Sequence, residues 1–139
     1  MEAMEAILTR RSTRRMKPEV PERELLEKVI AAGRHAPSGS NAQKTHLIVV
    51  TDRRILDDLA GIVANAFAEM EVKEDMYISL KRSVQAARKG GYRYDYNAPV
   101  LVIVCHQKDY GNAMADSACV IENMLIGANA LDLGACYIN

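Results

Sequence analysis

The sequence has no excess of charge: 18 Lys and Arg face 18 Asp and Glu, a formal net charge of zero over 139 residues. A protein-wide field that would draw the chain to nucleic acid or to an anionic membrane is thereby excluded, and any basic function must be local. Cysteine is scarce. Cys105, Cys119 and Cys136 are odd in number, widely spaced and without a C-x-x-C pair, which fits neither a disulfide framework nor a zinc site and points to a reducing, cytoplasmic setting. The N-terminus, MEAMEAILTRRS, carries acids where a signal peptide would carry its positive region. Long apolar runs are missing too: the most apolar stretch, residues 120–138, is interrupted by Glu122, Asn123, Asn129 and Asp132, so no spanning helix is expected. Neither G-x-G-x-x-G nor G-x-x-x-x-G-K-[ST] occurs, which leaves a Rossmann dinucleotide site and a triphosphate loop without support. His35, His46 and His106 stand apart from one another and from acid pairs at ligand spacing, so no metal site is read.

What is present is an ordinary globular mixture, 49% apolar and 26% charged, of a length that fits one domain over residues 1–139. Met4, Ile7 and Leu8 predict a short helix from residue 2 to about 10. Pro21 suits a first helical position, before Leu25, Leu26, Val29 and Ile30 on one face and a Glu24–Lys28 pair on the other, with Gly33 closing the helix. A Gly-, Ser- and Asn-rich loop then leads to Leu47 through Val50, an apolar run expected to be a strand buried on both faces. Asp52 can cap a helix through about residue 70, and a second helix is expected over roughly 74–89, ending at Gly90-Gly91. Val100 to Cys105 is a second apolar β run, with Tyr92, Tyr94 and Tyr96 alternating into it. From about Asn112 to Leu133 apolar residues occupy nearly every face of a helix, which must therefore be enclosed, in part by a second subunit. Gly134 is expected to cap it before a last β segment, residues 135–138. The chain stops at Asn139 directly after that segment, and a C-terminal portion is expected to be missing. The class is mixed α and β.

Two stretches could carry chemistry. Residues 10–17, RRSTRRMK, hold five of the eighteen bases in eight positions, where an even spread would put about one. Arginine forks with a serine hydroxyl beside them suit a small phosphomonoester, and a solvated helix C-terminus, where bases offset the helix dipole, accounts for them equally well. Pro37 and Gly39 fix an unusual path while Ser38, Ser40, Asn41 and Gln43 supply side-chain donors and acceptors that a flat heterocycle could use, or the stretch is a plain connecting loop. The cysteines, each in an apolar run, are read as packing residues. Tyr92, Tyr94 and Tyr96 could stack on a ligand but are better read as cover for the sheet edge. Asp116 and Glu122, off a shared face, are read as structural hydrogen-bonding residues.

In their order RRSTRR, APSGSNAQ, NAPVLVIV and ADSACVIENMLIGANALDLGACYIN, these pieces make the chain resemble the FMN-dependent nitroreductase family over nearly its whole length. The resemblance implies an α+β fold with a central mixed β-sheet flanked by helices, a long buried helix at a homodimer interface, and FMN at that interface. It implies that Arg10, Arg11, Ser12 and Arg14 hold FMN, the first three at the phosphate and ribityl chain. Arg14 is placed nearest the pyrimidine edge, where a cation offsets the negative charge left by hydride transfer. Pro37, Ser38, Gly39 and Ser40 reach the flavin of the opposite subunit, with Asn41 and Gln43 beside them. The activity implied is ping-pong transfer of hydride from NADH or NADPH through FMN to a nitroaromatic, quinone or similar acceptor, with no catalytic protein residue named. Alternatives are a non-reductase flavin enzyme or flavin-binding protein on the same fold, or a nucleic-acid module built on residues 10–17. Lys44-Thr45 stands where many members carry Pro-Trp, and the family's C-terminal flavin-lining segment and basic tail lie beyond Asn139.

Overall fold

Helix α1, Ala3–Thr9, opens the computed structural model, which describes residues 1–138. It is followed by α2, Arg23–Arg34, by a single 3₁₀ turn at Gly39–Asn41, and by β1, Thr45–Val50. Then come α3, Arg53–Glu69, α4, Ile78–Lys89, β2, Leu101–His106, and α5, Ala113–Ala130. The α+β class and the order of the first seven elements are as expected.

The core forms where α2 lies on α5, and glycine sets the closeness of that approach. Gly33 is buried inside α2 rather than closing it, and a Cβ there would stand 2.7 Å from Met124 Cγ. Gly127 meets Ala32 in the same way, its Cβ position 3.1 Å from Ala32 Cβ. Asn123 Nδ2 donates to Ala32 O at 3.1 Å, fixing the rotation of one helix against the other. Pro21 lies outside α2, whose N-cap is Glu22. The Glu24–Lys28 pair forms at 2.7 Å on the exposed side.

The strands pair antiparallel, with Ile48 opposite Ile103 and Leu47 opposite Val104. Among the described residues the expected mixed sheet is a two-stranded antiparallel ribbon, with a separate parallel bridge of Ser12 with Ala135. Burial of β1 on both faces is not reached within this chain: Ile48 is 44% and Val49 40% exposed. Helix α5 packs on both strands, but among the described residues no other helix builds a comparable layer against them.

Asp52 caps α3 by accepting from the Arg54 N–H at 2.8 Å. Helices α3 and α4 pack on each other through Leu56, Ala60 and Val84 and stand to one side of the core. Gly90, at φ 87°, ends α4 as expected, whereas its start is four residues later than the sequence suggested because residues 71–77 form an irregular connection with a turn at 74–75. Residues 94–97 are also a turn, so the tyrosines do not alternate into a strand.

Helix α5 buries Ala113, Asp116, Val120, Met124 and Ala128 along one side, while Met114, Ala118 and Cys119 on the other are exposed. The enclosure expected from its composition is therefore half complete in one chain. Its end differs as well. Asp132, at φ 58°, takes the left-handed position, its N–H bonded to Asn129 O and that of Leu133 to Ala128 O, a Schellman ending. Gly134 is free for another role, described below. Of the expected last strand only the bridge at Ala135 forms, and the expectation attached to Asn139 lies outside the described residues.

Candidate functional site

The arginine segment leaves α1 extended and is held from two sides. Asn129 Nδ2, on α5, donates to Ala6 O at 2.8 Å and to Thr9 Oγ1 at 2.9 Å, fixing the end of α1. Beyond it Ser12 bridges Ala135, and the Thr13 N–H donates to Ala135 O at 2.9 Å. Here Gly134 matters: a Cβ would lie 2.8 Å from Thr13 Cγ2, so only glycine lets the two segments approach.

A cavity of about 280 Å³ opens at this junction, lined among others by Arg10, Arg11, Thr13, Asn129, Asp132 and Gly134. Arg10 Nε lies 3.8 Å from Glu122 Oε1, a long and part-exposed pair. Arg11 Nη1 bonds Leu8 O at 3.1 Å and Arg10 O at 2.8 Å, and it alone acts as the helix-end reading supposed, since the last turn of α1 contains no base. Arg14 stands over the ring of Tyr96 at 5.9 Å. Among the described residues Arg11, Arg14, Arg15 and Lys17 form no ion pair. Such a concentration of unneutralised guanidinium groups beside a cavity is suited to an anion.

The second stretch, residues 37–43, lies between α2 and β1. It folds on itself: the Gln43 N–H donates to Ser38 Oγ at 3.0 Å, and Gln43 Nε2 donates to Asn41 Oδ1 at 3.2 Å. Ser40, Asn41 and Gln43 have φ of 53°, 53° and 51°, the left-handed region that non-glycine residues seldom occupy. The Gly39 N–H reaches Asp116 Oδ1 on α5 at 3.1 Å, and Asp116 Oδ2 accepts from Tyr110 Oη at 2.7 Å. Donating to that carboxylate favours the protonated phenol and raises the Tyr110 pKa. Asp116 is a structural hydrogen-bonding residue, as expected, whereas among the described residues Glu122 has only its long contact with Arg10. A second cavity, about 210 Å³, is lined by Pro37, Ser38, Gln43, Arg34, Leu47 and others.

The tyrosine segment is anchored by a buried carboxylate that sequence reasoning passed over. Asp95, 2% exposed, accepts from Arg93 Nε at 2.9 Å and Nη2 at 2.8 Å, and from the Asn97 N–H at 3.0 Å. Burial pushes its pKa up, but the Arg93 bonds, the Asn97 N–H and the charges of Arg93 and Arg53 outweigh this and hold it below the usual value. The Arg93 guanidinium also bonds Asp57 on α3 at 2.7 Å. Tyr92 packs edge-on against Phe67 with ring centroids 5.5 Å apart, a structural role. Tyr96, at φ 51°, is left facing Arg14.

The two predicted stretches do not meet. The end of α1, which leads into residues 10–14, is tied to Asn129 near the end of α5, and residues 37–43 to Asp116 near its start, anchor points about 20 Å apart along the axis at 1.5 Å per residue, with the Arg10 side chain reaching Glu122 between them. Each borders its own cavity, and no residue lines both. The supporting residues Asn129, Gly134, Asp116 and Asp95 were not read as parts of a site. Asp95 and Asp116, lone acids in apolar or aromatic surroundings, carried a usable signal, while Asn129 and Gly134 carried none.

The sequence pattern described as "Nitroreductase family" matches residues 7–139. A protein of Methanothermobacter thermautotrophicus named "Putative NADH dehydrogenase/NAD(P)H nitroreductase" is 31% identical over 99% of this chain, which spans 60% of that relative's length. Among solved structures, a nitroreductase with bound FMN from Bacteroides fragilis superposes with a TM-score of 0.85 at 32% identity, covering 100% of this chain and 70% of its own. A nitroreductase with bound FMN from Desulfitobacterium hafniense gives a TM-score of 0.75 at 30% identity, covering 94% and 66% respectively.

Proposed function

The chain belongs to the nitroreductase family, and on that premise we propose that residues 1–139 form one FMN-binding domain of an NAD(P)H-dependent oxidoreductase. Its acceptor is a nitroaromatic, a quinone or a similar small molecule, and turnover is ping-pong. Two similar structures with bound FMN, together with the names of the curated relatives, support the cofactor and the electron donor. Bound FMN supplies the redox chemistry, accepting a hydride from the nicotinamide and returning the electrons to the acceptor.

The residues present fit the group. Arg10 and Arg11 border a cavity with guanidinium donors suited to a phosphate, Ser12 lies between them and the lining residue Thr13, and Gly134 keeps the segment seated there. Arg14 would supply a cation to the flavin ring, where negative charge grows on reduction. Pro37, Ser38, Gly39, Ser40, Asn41 and Gln43 offer a donor-rich loop of fixed path for the heterocycle.

The observation that carries the reading is the separation of these two clusters. Anchored toward opposite ends of α5 and bordering separate cavities, they do not share one pocket among the described residues of a single chain. A two-fold axis near the middle of α5 would carry the loop of one copy to the arginine segment of its partner, with the exposed face of Met114, Ala118 and Cys119 as contact surface. A homodimer with flavin at the interface is accordingly part of the proposal. So is a cytoplasmic setting: all three cysteines are free, and among the described residues no helix is long and apolar enough to cross a membrane.

The test is an absorbance spectrum of the protein at full natural length, with its oligomeric state, before and after anaerobic NADH or NADPH. A yellow dimer that bleaches is expected. Bound flavin that fails to bleach refutes the reductase activity, and a colourless protein that takes up no FMN refutes the site. Arg10→Ala should weaken FMN retention and Arg14→Ala should slow flavin reduction with some FMN still bound, each by loss of a charge-assisted contact of roughly 1.5–3 kcal/mol.

A further inference from the structure

We propose that Asp116 is a positioning residue that holds residues 37–43 in their ligand-ready path, an inference that rests on the flavin reading of that loop. Three observations converge on it. Asp116 is 5% exposed, and both its oxygens are engaged by neutral donors, Oδ1 by the Gly39 N–H and Oδ2 by Tyr110 Oη. Among the described residues it has no cationic partner, so the buried carboxylate depends on these two bonds and on the positive end of α5, in whose first turn it lies.

The loop, in turn, depends on Asp116. Its other hydrogen bonds run within residues 38–43, between Ser38, Gly39, Asn41, Ala42 and Gln43. The bond from Gly39 to Asp116, spanning 77 residues of sequence, is the one that ties the loop to a distant element among the described residues. Three left-handed non-glycine residues in four positions persist only where the surroundings over-determine them. Gly39 also sits so close to the start of α5 that a Cβ would overlap the Asn112 side chain. The loop is thus seated on α5, with Asp116 as its anchor and Tyr110 as the second support that keeps the carboxylate from turning away. Asp116 does not touch the flavin. It acts through the Gly39 amide on where Ser38, Ser40 and Asn41 stand.

The experiment uses the protein at full natural length with Asp116→Ala, Asp116→Asn and Tyr110→Phe. Two quantities are read: FMN and riboflavin affinity by quenching of flavin fluorescence, and hydrogen–deuterium exchange of the 37–43 segment without flavin. Asp116→Ala should weaken FMN about tenfold, the loss of one hydrogen bond to a charged group. Riboflavin should weaken by the same factor, because Arg10 and Arg11, and not the loop, would hold the phosphate end. Exchange should rise in 37–43. Asp116→Asn keeps an Oδ1 acceptor for Gly39 and can donate to Tyr110 Oη, so it should restore affinity to within about threefold and restore protection. Tyr110→Phe should fall between the two.

Wild-type affinity and wild-type exchange in Asp116→Ala overturn the proposal. So does exchange that rises all along α5 and is not rescued by Asp116→Asn, which marks a merely structural residue. If the unaltered protein takes up no FMN, the flavin reading fails, and with it this inference. If it binds FMN and only the variants are silent, the flavin reading survives and the role of Asp116 falls.

Discussion

Replacing Arg93 with Ala strands a buried charge. In the native protein Asp95 is 2% exposed and receives two bonds from Arg93, one from the Asn97 N–H, and the charge of Arg53 at 3.8 Å. The substitution leaves only the last two. Removing one partner of a buried ion pair costs about 3–5 kcal/mol, and because the Arg93 side chain is 27% exposed and Arg53 remains, we expect about 2–4 kcal/mol. For a chain of this length each kcal/mol lowers Tm by about 3–5 °C, so a fall of roughly 6–20 °C should be seen. Thermal unfolding followed by circular dichroism reads the fall in Tm, and urea unfolding reads the free energy, with the slope unchanged if only stability has moved. The diagnostic is an ordering. Asp95→Ala removes the buried charge and lets Arg93 turn to solvent, so it should cost less than Arg93→Ala. Asp57→Ala, at the half-exposed end of the same guanidinium, should leave Tm nearly unchanged. The pH dependence has a definite sign. The Asp95 pKa is depressed in the folded protein, so its contribution is fully present above the ordinary aspartate value of about 3.9 and is lost as pH falls through the folded value. The gap between wild type and Arg93→Ala should therefore narrow below about pH 4. An Arg93→Ala variant within about 0.5 kcal/mol of wild type, or Asp95→Ala as the costlier change, would refute the account.

Gly33→Ala should destabilise the protein by about 1–3 kcal/mol, because its Cβ must displace the buried Met124 side chain between α2 and α5, and thermal unfolding reads this directly. Gly134→Ala should move Thr13 and with it the arginine segment, so flavin titration should show weaker FMN binding even where Tm falls by only a few degrees. Asn129→Ala removes the donor that ends α1, and amide exchange at residues 6–13 should rise without a matching change in α3 or α4.

Periodicity and punctuation were enough for most of the elements. Asp52 as a cap, Gly90 as a stop, the Glu24–Lys28 pair and the two apolar β runs act through neighbours a few residues away, which is why they could be read from the sequence. The family resemblance was legible for a different reason: four short motifs in a fixed order need no geometry. Where local reading failed, a distant contact had intervened. Gly33 and Gly134 look like helix ends in a linear pattern, yet one admits Met124 and the other Thr13, at sequence distances no window contains. The tyrosines at 92, 94 and 96 have strand-like spacing, but Arg93 and Asp95 between them pull the backbone into a turn against α3.

The sequence alone therefore determined which residue types could serve a flavin and where helices and strands would form, since propensity, capping and charge clustering are properties of short segments. Only the tertiary structure decided that the two candidate clusters sit at opposite ends of α5. It also decided that side chains of that helix hold them, Asn129 through the end of α1 that leads into one and Asp116 through Gly39 of the other. The physical reason is that a hydrogen bond's strength depends on separations of about 3 Å in space. Residues 39 and 116, or 6 and 129, acquire such separations only when the helices pack.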